Sequence, residues 1–351
     1  MLIMVLIAVG VVMLYLLFWP VPVKPVKWTP LKAPELKGDY AVNQALSAVE
    51  LLPVGGRGPE DVIFDRQGRL YTGLEDGRIV RMGPDGSNLE TLANTGGRPL
   101  GLAFDGRDNL IIADADKGLL AVDPQGKLEV LTDTFGGRKL VLTNHLDVAA
   151  DGTIYFSESS DRFPLHDYVS DFIDSRSNGR LLAYDPEGKQ TRLVLDNLHF
   201  ANGVAVSPDQ SYVLVVESSR YCIQRFWLEG PRAGEAETFI ENLPGFPDNL
   251  HSNGRDIFWL ALVSPRKSIV DNLAGQPFLR KMIYRLPELL KPSPGQYGFV
   301  LGLDGDGRVV HNLQGPSGAF TETSGATEHE GMLYVGSLSG ETIGRLPVPS
   351  S

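Results

Sequence analysis

Cysteine is nearly absent: the chain of 351 residues has one, Cys222. No intrachain disulfide can form, so cysteine usage does not assign a compartment. Cys222 lies in a strand-like run, Arg220 to Trp227, and reads as a packing residue. Clusters of Cys and His at zinc spacing are missing, which excludes an ordinary zinc site. Also missing is a Gly-x-Ser-x-Gly elbow, so a serine hydrolase of that type is excluded. Gly-rich turns such as Gly96-Gly97 have neither a Walker lysine nor a strand–turn–helix context, which removes the usual nucleotide sites. Basic charge is short, 32 Lys and Arg against 43 Asp and Glu, for a net charge of −11. Nucleic acid, which rewards basic patches, is therefore not an expected partner. The lack of regular helices between strand-like runs excludes a doubly wound α/β fold.

One long hydrophobic run is present, Met1 to Trp19, uncharged throughout. Its length suits a transmembrane helix, and Pro20, Pro22 and Pro25 stop it. No Lys or Arg precedes it, and bulky Phe18-Trp19 ends it. An uncleaved anchor is expected rather than a secretory signal. Residues 20–39 are rich in Pro and Lys and lack amphipathic period; they read as a linker holding the rest off a bilayer. Lys24, Lys27, Lys32 and Lys37 follow the run and, on charge bias alone, would keep that side cytoplasmic. Residues 40–351 form the expected globular domain.

Within that domain one phrase recurs. Phe200-Ala-Asn-Gly-Val-Ala-Val-Ser-Pro-Asp209 has relatives in Glu60-Asp-Val-Ile-Phe-Asp65, Pro99-Leu-Gly-Leu-Ala-Phe-Asp105, Asn144-His-Leu-Asp-Val-Ala-Ala-Asp151 and Asp248-Asn-Leu-His-Ser-Asn-Gly254. Each is a short apolar strand running into a polar turn, followed by a second strand such as Gly152-Thr-Ile-Tyr-Phe-Ser157. The spacings between phrases are about 40, 44, 58 and 46 residues. Repeats of that length built from short strands predict an all-β, six-bladed β-propeller behind an N-terminal transmembrane helix. The long units carry insertions at 162–177 and 264–294, the second with a helix-like run over 277–290. Such insertions belong over one face, where a ligand enters.

In four of the five phrases an oxygen-bearing side chain opens the strand: Glu60, Asn144, Asn202 and Asp248. In a closed ring these meet near the axis. Carboxylate and amide oxygens are hard ligands that suit calcium, and Asn249 is a fifth candidate. Asp and Asn are also turn formers, so it is the repetition that favours a cation site. A calcium there would polarise an ester, lactone or phosphoester oxygen. Asp248 could attack or take a proton, and His145 or His251 could serve as base. Strand alternation turns His145 away from Asn144.

The chain resembles the strictosidine synthase-like family. The resemblance rests on Arg98-Pro-Leu-Gly101, Asp114-Ala-Asp-Lys-Gly-Leu119, Gly179-Arg-Leu-Leu182, Ala201-Asn-Gly-Val204, Pro244-Gly-Phe-Pro-Asp-Asn249 and Glu328-His-Glu-Gly331. It implies a six-bladed propeller related to paraoxonases, gluconolactonases and diisopropylfluorophosphatase, with calcium in the tunnel. The relatives' ligand motifs match Glu60, Asn144, Asn202 and Asp248-Asn249. Alkaloid-forming members carry a glutamate where this chain has Ser324 or, allowing a gap, Glu322. That departure favours a membrane-anchored calcium-dependent hydrolase of small-molecule esters or lactones, with its propeller on the non-cytoplasmic side. The alternatives are a carbon–nitrogen lyase without metal and a non-catalytic propeller that binds a ligand or protein.

Overall fold

The computed structural model describes residues 1–291 and 295–349. Six four-stranded antiparallel sheets form the blades of a β-propeller. The all-β architecture and the blade count agree with the sequence reading. From the axis outward, blade 1 is Ile63–Phe64, Leu70–Gly73, Arg78–Met82 and Glu90–Asn94. Blade 2 starts at Pro99–Phe104, blade 3 at Leu142–Val148, blade 4 at Ala201–Val206 and blade 5 at Gly245–Ser252. Blade 6 is composite: Thr323–His329, Met332–Ser337 and Thr342–Pro347 take their outer partner, Glu50–Pro53, from the start of the domain.

Local chemistry explains the repeats. In blade 1 the first hairpin closes on Asp65, whose Oδ1 accepts the amides of Gln67 and Arg69, both at 2.9 Å. Gly68 takes φ +75° in that turn, a conformation a side chain would strain. Asp105 and Asp304 bind turn amides in the same way. The middle strands are apolar on both faces because neighbouring blades cover both; Tyr212–Glu217 is buried along its whole length. Cys222 is a packed strand residue whose thiol lies 3.4 Å from Glu217 Oε2. Burial, and then that carboxylate, push its pKa up, as expected for an inert structural thiol.

The insertions form a roof on one face. Helix α2, Tyr168–Asp174, sits between strands of blade 3, and α3, Ser268–Ala274, and α4, Pro277–Tyr284, between strands of blade 5. Part of the second insertion, 292–294, lies outside the described residues.

Two expectations about the N-terminus change. The apolar run forms helix α1, Leu2–Phe18, of 17 residues with no side chain buried. At ~1.5 Å per residue it reaches ~25 Å, short of a ~30 Å hydrocarbon layer. Among the described residues no helix is long and apolar enough to cross a membrane, so the transmembrane span is not shown. The helix stops at Trp19, held extended by the proline that follows (φ −59°, ψ 132°). Nor is 20–39 a free spacer, because it is laid across the roof. The Val26 amide donates to Asp174 O at 3.0 Å and the Trp28 amide to Ala274 O at 3.2 Å. Arg266 donates to Leu31 O at 2.7 Å and Asn242 to Lys32 O at 3.0 Å. The guanidinium of Arg220 stacks over the Trp28 ring at 4.1 Å. The backbone carbonyls that proline leaves unpaired find donors in the roof.

Ring closure depends on Leu52, which is 3 % exposed in a cluster with Val54, Val62, Tyr334 and Ile343. Leu52→Ala should cost about 2–5 kcal/mol, seen as a lower urea midpoint. An unchanged midpoint would mean that the composite blade adds nothing to closure.

Candidate functional site

The innermost strands share a defect that sets the site. Ladder pairing shifts between Thr143 and Leu146, between Ala201 and Val204, between Pro247 and Leu250, and between Thr323 and Ala326. Each shift is a bulge, and a bulge re-aims the side chains within it. The residues in the bulges are Asn144-His145, Asn202-Gly203, Asp248-Asn249 and Ser324-Gly325. Glu60-Asp61 holds the equivalent place just before the first strand of blade 1.

The first member of each pair faces one cavity. Glu60, Asn144, Asn202 and Asp248 all line it, and each is 3–4 % exposed. Ser324 is the exception; its hydroxyl donates to Glu60 O at 2.7 Å and fixes that backbone. Second members pack against the neighbouring blade's innermost strand, where room is scarce. A Cβ on Gly203 would lie 2.5 Å from the Leu250 amide nitrogen, so only glycine fits.

The cavity of about 240 Å³ has a polar floor and apolar walls. Leu100, Phe200, Phe246 and Val263 form its sides, while Tyr168, Phe172, Val270 and Ile283 come from the roof helices. Asn202 Nδ2 donates to Asp248 Oδ1 and, at 3.2 Å, to the Ser218 hydroxyl. Asn144 Oδ1, Asn202 Oδ1 and Asp248 Oδ2 are buried without a hydrogen-bond partner. A fourth blade contributes the Glu60 carboxylate, held by Arg98 at 3.2 Å. Burial raises the Glu60 pKa to about 7 against the pull of Arg98, with Asp61 and Glu75 adding to the rise. Burial, then the Glu60 charge, raise Asp248 well above the ordinary range. Unpartnered hard oxygens and carboxylates that resist ionisation are what a divalent cation would satisfy. The donor set therefore fits such an ion, with Glu60, Asn144, Asn202 and Asp248 to hold it.

The structure places the other expected residues elsewhere. Asn249 is fully buried and does not line the cavity; its amide oxygen and nitrogen have no hydrogen-bond partner. His145 and His251 do not line it either. They pack edge to face, ring centroids 4.9 Å apart, against Asp61 beneath the floor. Asp61 Oδ1 meets His251 Nε2 at 2.6 Å, and Oδ2 lies 3.5 Å from His145 Nε2. The same carboxylate accepts the amides of Val62 and Leu102, both at 2.8 Å. These three side chains could in principle bind a metal. However, His145 Nδ1 accepts the Val204 amide at 3.0 Å, so the ring proton sits on Nε2, which then cannot coordinate. The histidines that looked like bases thus serve a buried carboxylate. Regular alternation correctly turned His145 from Asn144, although the bulge is what separates them.

The glutamate position of the alkaloid-forming enzymes is also resolved. Ser324 is buried against Glu60 O, and the Glu322 carboxylate accepts the Ser339 hydroxyl. Neither puts a free carboxylate in the cavity. The sequence reading missed Asp61 and Arg98. The recurrence of a polar or glycine residue directly after each ligand position was the available signal for Asp61.

Comparison with known proteins places the chain in a family and a fold. Strictosidine synthase matches residues 144–231, and the N-terminal part of strictosidine synthase-like proteins matches 38–82. An adipocyte plasma membrane-associated protein of Rattus norvegicus is 34 % identical over 94 % of this chain and 94 % of its own length. The chain belongs to the strictosidine synthase-like family. Strictosidine synthase-like 4 of Arabidopsis thaliana is another relative, 34 % identical over 91 % of this chain and 86 % of its own. Among solved structures, a gluconolactonase of Xanthomonas campestris superposes with TM-score 0.63 at 18 % identity, covering 94 % of this chain and 99 % of that one. The calcium-binding regucalcin of Agrobacterium tumefaciens gives 0.59 at 15 % identity, covering 84 % and 94 %. At those identities the likeness to this strictosidine synthase-like chain is one of fold.

Asp61 should matter more than its distance from the cavity suggests. Asp61→Ala leaves two histidines and two amides without their acceptor, and should cost about 3–5 kcal/mol in thermal unfolding. The charge beside it predicts a pH dependence. Burial opposes protonation of His251, but Asp61 overcomes it and raises the pKa. A raised histidine contributes stability in full below its unfolded value of ~6.5, and loses it as pH rises through the folded value. Asp61 is depressed, chiefly by His251 against its burial, so its share persists until strongly acid pH. His251→Gln should therefore flatten the decline in melting temperature above about pH 6.5. An unaltered slope would mean that His251 is neutral in the fold.

Proposed function

We propose that this protein is a calcium-dependent hydrolase of small-molecule esters or lactones, associated with a membrane through α1. The observation that carries the reading is the convergence of unpartnered oxygens from Asn144, Asn202 and Asp248 with the Glu60 carboxylate on the floor of an apolar-walled cavity. Calcium held by these four residues supplies Lewis-acid polarisation of a substrate carbonyl oxygen. The rest of the work belongs to the chain. Arg98 holds Glu60 at the rim of the floor. Asn202, braced on Ser218, fixes one oxygen of Asp248 and leaves Oδ2 toward the substrate. The Asp248 carboxylate takes the proton of an attacking water. Phe172, Phe200 and Phe246 hold the apolar part of the substrate and exclude bulk water.

The fold shared with a gluconolactonase and with a calcium-binding regucalcin supports this reading. The animal relatives, adipocyte plasma membrane-associated proteins by name, support membrane association, as does an apolar helix with no buried residue. Condensation of an amine with an aldehyde loses ground because the cavity has no carboxylate at Ser324 or Glu322.

Hydrolysis of phenyl acetate and of an apolar lactone by the detergent-solubilised full chain, with and without chelator, tests the proposal. Asn202→Ala and Asp248→Asn should each lower kcat/KM at least ~100-fold, and chelation should abolish turnover until calcium is restored. Turnover that survives both treatments would overturn the metal mechanism. Calcium binding by calorimetry without turnover would identify a binding protein.

A further inference from the structure

The roof helices have a second face. Inward, Phe172 and Ile173 of α2, Val270 and Leu273 of α3 and Ile283 of α4 line the cavity. Outward, large apolar side chains stand free: Ile269 at 54 % exposure, Phe278 at 54 %, Leu279 at 43 %, Leu289 at 94 % and Leu290 at 63 %. Val169 does both, lining the cavity while 38 % exposed. Among the described residues beyond α1, this is where exposed large hydrophobic side chains concentrate. Such a patch marks a contact surface rather than a solvated one.

Charge indicates what the contact is. The protein carries −11 overall, yet residues 264–291 hold six basic and two acidic side chains. The strap laid over the roof, residues 20–39, holds four basic and two acidic. Residues 162–177, which carry α2, hold two basic and three acidic side chains, so roof and strap together keep twelve basic against seven acidic, and the acidic excess lies in the rest of the propeller. Arg280 and Arg285, both buried, tie the roof to the N-terminal segment. Arg280 donates to Ile173 O at 2.9 Å and also to Val26 O. Arg285 donates to Trp19 O at 2.8 Å and to Leu16 O at 2.7 Å, which pins the last turn of α1 to the end of α4. The exposed apolar helix and the exposed apolar roof are thus one connected unit. Bare hydrophobic side chains beside the exposed Lys24, Lys27 and Lys32 of the strap and the half-buried Lys281 of α4 suit the headgroup zone of an anionic bilayer.

We infer that the roof, and not α1 alone, is a lipid-docking surface: α2, α3 and α4 rest in an anionic phospholipid leaflet with the cavity mouth against it. The substrate then enters from the lipid, as an ester or lactone with a long apolar tail. Its tail lies along the roof helices while its carbonyl reaches Asn144, Asn202 and Asp248. This rests on the membrane association proposed above and adds that the catalytic entrance itself meets the lipid.

The test uses the full chain in phosphatidylcholine nanodiscs, with and without phosphatidylserine, containing a phospholipid with a photoactivatable diazirine in its acyl chain. After irradiation, lipid adducts are mapped by mass spectrometry. Adducts are expected in 2–18 and also in 268–290, the latter rising with phosphatidylserine. Phe278→Ser with Leu279→Ser should cut roof adducts roughly ten-fold while those in α1 persist, because both side chains are lost from lipid. Adducts confined to α1 would overturn roof docking and leave membrane association standing. No adducts in either segment would overturn both.

Discussion

A single buried carboxylate organises the centre of this molecule. Asp61 leaves blade 1 just before its first strand and, under the floor of the cavity, faces four N–H groups, three within hydrogen-bond distance and His145 Nε2 at 3.5 Å. They are its neighbour's amide, the Leu102 amide of blade 2, His145 of blade 3 and His251 of blade 5. An ionised group can be held so deep only when its bonds are filled and a counter-charge is adjacent. Both conditions are met, and the four groups belong to blades 1, 2, 3 and 5. The strands are thereby drawn to a common point. Next to two of these groups stands a residue of the cavity floor: Glu60 beside Asp61, Asn144 beside His145. The floor has the geometry it has because the layer below is pinned.

The same pairing divides the labour along the axis. In blades 1 and 3 one side chain, Glu60 or Asn144, faces the cavity while its neighbour, Asp61 or His145, packs beneath it, so adjacent residues serve catalysis and cohesion separately. This explains why the cavity can keep unsatisfied oxygens and carboxylates of raised proton affinity without collapse. The unfavourable burial of the upper layer is offset by the bonds of Asp61 beneath it, and by Arg98 at its side. Polar strain of this kind is usual where a site awaits a ligand.

Much of this was legible before any coordinates. The recurring phrases and their Asp-Gly turns gave away the propeller, because each blade is an independent solution of the same turn chemistry. The four cavity oxygens were legible for the same reason: Glu60, Asn144, Asn202 and Asp248 occupy one place in successive repeats. The histidines were misleading. A His beside a proposed ligand resembles a base in one dimension, and only the bulge and the Val204 amide show that His145 serves the plug. Residues 20–39 were misjudged for a related reason. Proline and lysine are the composition of a spacer, but the donors that hold this strap, Arg266, Arg280 and Asn242, lie more than 200 residues away. The length of α1 depended on how far the Pro20 constraint propagates back, a matter of one or two residues.

The composite sixth blade has a consequence for biosynthesis. Glu50 pairs with Arg345 and Pro53 with Thr342, so the earliest strand of the ring waits for the latest. On the ribosome, five blades can assemble in order as they emerge, each from neighbours already present. The seam closes only when nearly the whole polypeptide is out, which leaves the Glu50–Pro53 edge unpaired throughout translation and open to chaperones or to a neighbouring nascent chain.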